Sequence, residues 1–152
     1  MSAHAIPPLG RMCLAAFLAD MALYLVMTGA PYQALALGAG PVILGLLPMA
    51  RALPYSLNTV WAGALTEGPD RLRLARFSLL GGAAAALALA FTPHVVRLFG
   101  GTSAAVPVSG IAWLFVMLAV IGASLAFFWP ALQAGLADLA AVSYTHLRAH
   151  ET

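Results

Sequence analysis

The stretch 63-GALTEGPDRLRLAR-76 decides how the rest of the chain is read. It holds Glu67, Asp70, Arg71, Arg73 and Arg76, five of the twelve Asp, Glu, Lys and Arg residues in all 152 positions. The chain around it is 62% hydrophobic and 8% charged, with a mean hydropathy of +0.94. Soluble domains carry about a quarter charged residues. A chain with so few cannot coat a water-facing surface, and its natural solvent is lipid. The formal charge of +2 is too small and too scattered for a nucleic-acid footprint, so no nucleic-acid partner is expected. All seven basic residues are arginines, which with the abundant Ala and Gly fits a GC-rich bacterial genome. Cys13 is the sole cysteine and has no disulfide partner within the chain.

Outward from the charged stretch lie four apolar segments, at about 12–32, 42–65, 77–98 and 109–131. Each reaches the ~20 residues that cross a ~30 Å hydrocarbon core as a helix. Period-two alternation is absent, which argues against a membrane β-barrel. The expected fold is therefore an all-α membrane protein with four transmembrane helices. A cleaved signal peptide over the first segment is disfavoured, because the apolar run is too long and contains Asp20. Arg11, Arg71, Arg73 and Arg76 flank the spans on one side and only Arg97 on the other. The positive-inside rule then places the N-terminus (residues 1–11) and the 67–76 loop in the cytoplasm of a multi-pass protein. The charged stretch thus sets topology.

Residues 142–152, VSYTHLRAHET, break with everything before them. They are similar, over the whole segment, to one translated frame of a transposase adapter used to make sequencing libraries. On that resemblance His146, Arg148, His150 and Glu151 are excluded from fold reasoning, a metal-binding tail is set aside, and the natural chain is expected to continue past Ala141.

GALTEGPDRLR resembles the loop between the second and third helices of the major facilitator superfamily, whose pattern is G-x-L-x-D-x-x-G-R-R. Gly63 and Leu65 match, Glu67 stands in place of Asp, and Arg71 takes the first basic position. Asp70 replaces the second Gly, Leu72 replaces the second basic residue, and Arg73 comes one position late. FFWPALQAGLAD at the end of the fourth span is similar to many bacterial members of the family. The resemblance covers Arg11 to Asp138, four of the usual twelve helices. It implies an N-terminal fragment (12–141) of a secondary active transporter in the bacterial inner membrane, moving a small solute by alternating access. Within it Gly63, Leu65, Glu67, Arg71 and Arg73 form a gating motif, in which Gly63 admits a neighbouring helix. Glu67 and Arg71 would latch the second helix to one in the missing C-terminal half. The resemblance also implies that the first and fourth helices line a central cavity, with Trp129, Pro130 and Gln133 candidates on the fourth, and that the third lies outside.

Charges inside the spans are the other functional signal, because they are costly in lipid. Asp20 lies ~12 Å from the cytoplasmic end of the first span, and Arg51 ~16 Å from the same face on the second. Pairing of the two would lessen the cost of both. Asp20, Tyr24 and Thr28 recur on one helical face, and Arg51, Tyr55, Asn58 and Thr59 on another. Such stripes face other helices or a watery cavity. Plain interhelical hydrogen bonding is the simpler role for the Tyr, Thr and Asn; substrate contact is the sharper one. His94 reads as an interfacial residue with a proton relay as the alternative. No nucleotide-binding loop, paired catalytic carboxylates, metal-spaced His cluster or nucleophile elbow occurs, so neither an enzyme nor a bound cofactor is expected. The energy would come from a gradient, with protons carried by Asp20 the leading choice. The rivals are a complete four-helix membrane protein, such as a dimeric small multidrug exporter, and a membrane scaffold without transport.

Overall fold

The computed structural model describes residues 8–66, 70–99 and 108–149, and these are helical with short connections. The helices are α1 (Pro8–Ala36), α2 (Pro41–Thr66), α3 (Arg71–Ala90), α4 (Thr92–Phe99) and α5 (Val108–Ala149). Glu67 lies outside the described residues.

Three of the helices are long and apolar enough to cross a membrane: Leu9–Ala36, Arg71–Ala90 and Val108–Asp138. Four were expected. α2 has the length, at 26 residues, but not the apolarity, since Arg51, Asn58 and three prolines dilute it. The third span also differs from the expected 77–98. Its helix starts earlier, at Arg71, and stops at Ala90, and a separate short helix follows from Thr92. Pro93 is the physical reason. It has no N–H for the Leu89 carbonyl four residues back, and its ring would crowd that carbonyl. A backbone N–H at the end of α3 reaches the Leu89 oxygen instead, and the Thr92 hydroxyl adds a second contact at 2.6 Å.

The turn from α1 to α2 is written in 37-LGAGP-41. Gly38 alone has a positive φ, +79°, among the described residues. Its N–H binds the Leu35 carbonyl at 2.9 Å, and the Ala39 N–H binds the Ala34 carbonyl at 2.9 Å. These two bonds make a Schellman ending, which needs a left-handed residue that glycine supplies without strain. Pro41 then opens α2, where its missing N–H costs nothing.

α5 is the centre of the packing. In an apolar 18-residue stretch of α5 39% of residues are buried, against 17% in that of α3 and 6% in that of α1. Leu114, Leu118, Ala126 and Ala131 on α5 are wholly buried. α2 and α3 flank α5 along much of its length, while α1 touches all three less extensively. Two small residues explain the sandwich. At Gly122 an added Cβ would sit 2.1 Å from the Arg51 carbonyl oxygen of α2. Ser124 faces the other way, with its Oγ 3.3 Å from where a Cβ on Gly81 of α3 would be. Two residues along a helix turn through about 200°, so these contacts fall on opposite sides of α5. Close backbone approach at small residues is how helices bind one another in lipid, where burial from water gives no drive.

Candidate functional site

Arg71 sits in the first turn of α3 and reaches Asp138 on α5, with Nη1 2.9 Å from Oδ2. The Arg71 side chain is 27% exposed and that of Asp138 59%. The second ion pair among the described residues is local: Arg73 lies 3.5 Å from Asp70, and both are well exposed. Asp70 precedes α3 without a side-chain capping bond, its carboxylate being turned to Arg73 instead. Of the residues expected to form a gating motif, then, Arg71 is tied to another helix and Arg73 only to its own loop. Gly63 and Leu65 are exposed, and nothing stands within 4 Å of a Cβ built on Gly63. The close helix approach expected at Gly63 is not made by any described residue.

Behind the Arg71–Asp138 bridge opens a cavity of about 490 Å³ between α1, α3 and α5. Arg11, Arg71, Arg76 and Asp138 stand at its mouth, and Met12, Leu72, Phe128 and Leu132 are among its apolar walls. A second cavity of about 240 Å³ lies further along the same seam and shares Leu79 with the first. Its lining is apolar apart from Ser78, whose hydroxyl already donates to the Leu74 carbonyl at 2.7 Å.

The two polar stripes are placed differently from each other. Asp20, Tyr24 and Thr28 are exposed on α1; Asp20 and Tyr24 share a shallow concavity with Phe17, Met21 and Met27. Arg51, Tyr55 and Asn58 on α2 are half-buried. Asp20 and Arg51 do not form an ion pair. The depths expected from residue count were comparable, but depth says nothing of rotation about the helix axis: α1 turns Asp20 outward while α2 carries Arg51 against α5. Arg51 Nε is buried with no hydrogen-bond partner among the described residues. The small polar residues bond within their own helices rather than between helices. Thr28 donates to the Tyr24 carbonyl (2.9 Å), Asn58 to that of Pro54 (2.8 Å) and Thr59 to that of Tyr55 (2.8 Å).

On α5, Trp129 is half-buried beside the core and stacks edge-on to Phe128, with ring centroids 5.2 Å apart. Gln133 is exposed, and the helix runs through Pro130 without a break. His94 is exposed on α4, its ring 5.9 Å from that of Phe91. Sequence reasoning passed over Asp138 as the partner of Arg71. In a chain with five acidic residues, one standing just beyond the last long apolar run was the available signal. It also passed over Thr92 and Gln33, whose side chains meet at 3.0 Å across 59 residues of sequence, and no periodicity marks such a pair.

Compared with known proteins, the chain matches no family model, no curated protein and no solved structure.

Proposed function

We propose that this chain is the N-terminal part of a secondary active transporter of the major facilitator type, with α1, α2, α3–α4 and α5 as its first four spans. In this reading α2 crosses the membrane despite its lower apolarity, because its charge is shielded against α5. The observation that carries the proposal is the Arg71–Asp138 bridge. The loop segment singled out as a gating motif is joined through its first basic residue to the end of the fourth span, all at one end of the bundle. A bridge of this kind, part-exposed and made of two charges, is strong enough to bias one arrangement of helices and weak enough to be exchanged. Transport would proceed by rocking this bundle against a second one about a site near the midplane. Glu67 and Arg71 serve the gate.

The exposed face of α1 with Asp20, Tyr24 and Thr28, and the half-buried Arg51, Tyr55 and Asn58 of α2, supply polar groups for a small solute and a coupling proton. Trp129 and Gln133 on α5 complete the candidate set. The protein would lie in the bacterial inner membrane with its N-terminus in the cytoplasm. The dimeric exporter remains the alternative, since it too would use an exposed carboxylate on its first helix. The separating test is to extend the coding sequence past Ala141 from source DNA and assay the natural product in proteoliposomes. Eight further apolar spans and gradient-driven uptake abolished by Asp20→Asn are expected. A stop codon within a few residues, or unchanged uptake by the variant, counts against the reading.

A further inference from the structure

We propose that the seam between α1, α3 and α5 is a binding site for one anionic phospholipid, with its phosphate between Arg11 and Arg76 and one acyl chain along the furrow beyond. The mouth is charged and asymmetric. It gathers three arginines and a single carboxylate, and the Arg71–Asp138 bridge at 2.9 Å neutralises one of each. Arg11 and Arg76 are exposed, make no ion pair among the described residues, and come from different helices. Two unshared guanidinium groups lining one cavity suit a phosphodiester, which offers each of them oxygen acceptors.

Behind the mouth the character of the seam changes. Its lining includes small residues of two helices, Ala19 and Ala22 of α1 and Gly82 and Ala83 of α3, and is completed by Ile121 and Leu125 on α5. Its one polar side chain, Ser78, is satisfied by the Leu74 carbonyl and offers no free donor to a polar solute. On α1 the seam runs from Arg11 to Val26, about 22 Å at 1.5 Å per residue, more than half of a ~30 Å hydrocarbon core. A charged cavity at one end of the bundle, followed along the same seam by an apolar one that shares Leu79 with it, has the shape and chemistry of a lipid. A soluble anion would use only the mouth. Basic pockets between membrane helices hold anionic head groups for the same electrostatic reason.

The assignment rests on the membrane reading but not on transport; a full-length parent that moves no solute leaves it standing. The test is native mass spectrometry of the 152-residue chain in dodecyl maltoside, offered equal dioleoylphosphatidylglycerol and dioleoylphosphatidylcholine. One phosphatidylglycerol per chain is expected, preferred by about twenty-five-fold, taking about fivefold for each of two arginines at the surface. Arg11→Gln with Arg76→Gln should bring the two lipids level, and Ala83→Trp, which fills the slot, should lower retention of both. Equal retention by the unaltered chain overturns the proposal, as does a preference that survives the double variant. Displacement of the lipid by inorganic phosphate alone would also overturn it, identifying a free-anion site instead. Should the double variant not fold, Ala83→Trp decides, since undiminished phosphatidylglycerol retention sinks the slot.

Discussion

Glycine has opposite meanings at two positions of this chain, and only the neighbours tell them apart. At Gly122 a methyl group would meet the Arg51 backbone of α2 at 2.1 Å, a contact that a rigid helix cannot relieve by turning a side chain. Gly122→Ala should therefore push α2 from α5 and destabilise the fold by about 1–3 kcal/mol, the usual range for overpacking. Gly63 has nothing within 4 Å. Gly63→Ala should leave thermal unfolding in detergent unchanged or raise it slightly, because alanine loses less backbone entropy in a helix. If the two variants unfold alike, the crossing at Gly122 is misassigned. Arg51 belongs to the same crossing: its backbone makes the contact, and its buried Nε waits for an acceptor. In the proposed transporter, a charge that is costly in lipid and unpaired at that atom gives α2 a task beyond filling space.

Between elements, two polar links hold what apolar packing alone would leave free to slide. Thr92 is buried, and its hydroxyl lies 2.6 Å from the Leu89 carbonyl, which Pro93 deprives of its regular helical donor, and 3.0 Å from Gln33 Oε1 on α1. The one proton serves one acceptor at a time, and the shorter contact is with Leu89. Thr92→Val keeps the shape, removes both contacts and should cost about 0.5–1.5 kcal/mol, the net worth of a hydrogen bond to a carbonyl that keeps a backbone donor. A loss below the error of thermal unfolding would mean that water reaches the α3–α4 break. The second link is Arg71–Asp138. Both groups are part-exposed, so a double-mutant cycle with Arg71→Gln and Asp138→Asn should give a coupling of only about 0.5–1 kcal/mol. High salt should erase most of it. A coupling that persists in salt would show the bridge to be shielded from solvent, against its exposure.

For the molecule as a whole, the prediction concerns sidedness. In a Cys13→Ser background, Arg76→Cys should react with an impermeant thiol reagent only from the cytoplasmic side, and His94→Cys only from the opposite side. The reverse pattern would invert the proposed topology. The apolar composition, the scarcity of charge and the run lengths were enough to specify helices in a lipid solvent, because length and hydropathy are properties of the chain itself. The turn at 37–41 was just as local, one glycine and one proline setting its bonds. Rotation and partnership were not. Asp20 and Arg51 share a depth by residue count yet do not pair, since the facing of each helix depends on where small residues on α5 admit its neighbours. The same cause put Asp138 opposite Arg71 and drew Arg11 and Arg76 around one cavity. A one-dimensional pattern records how far along a helix a side chain sits. Which helix it meets is settled only when the crossings at Gly122 and Ser124 orient all of them together.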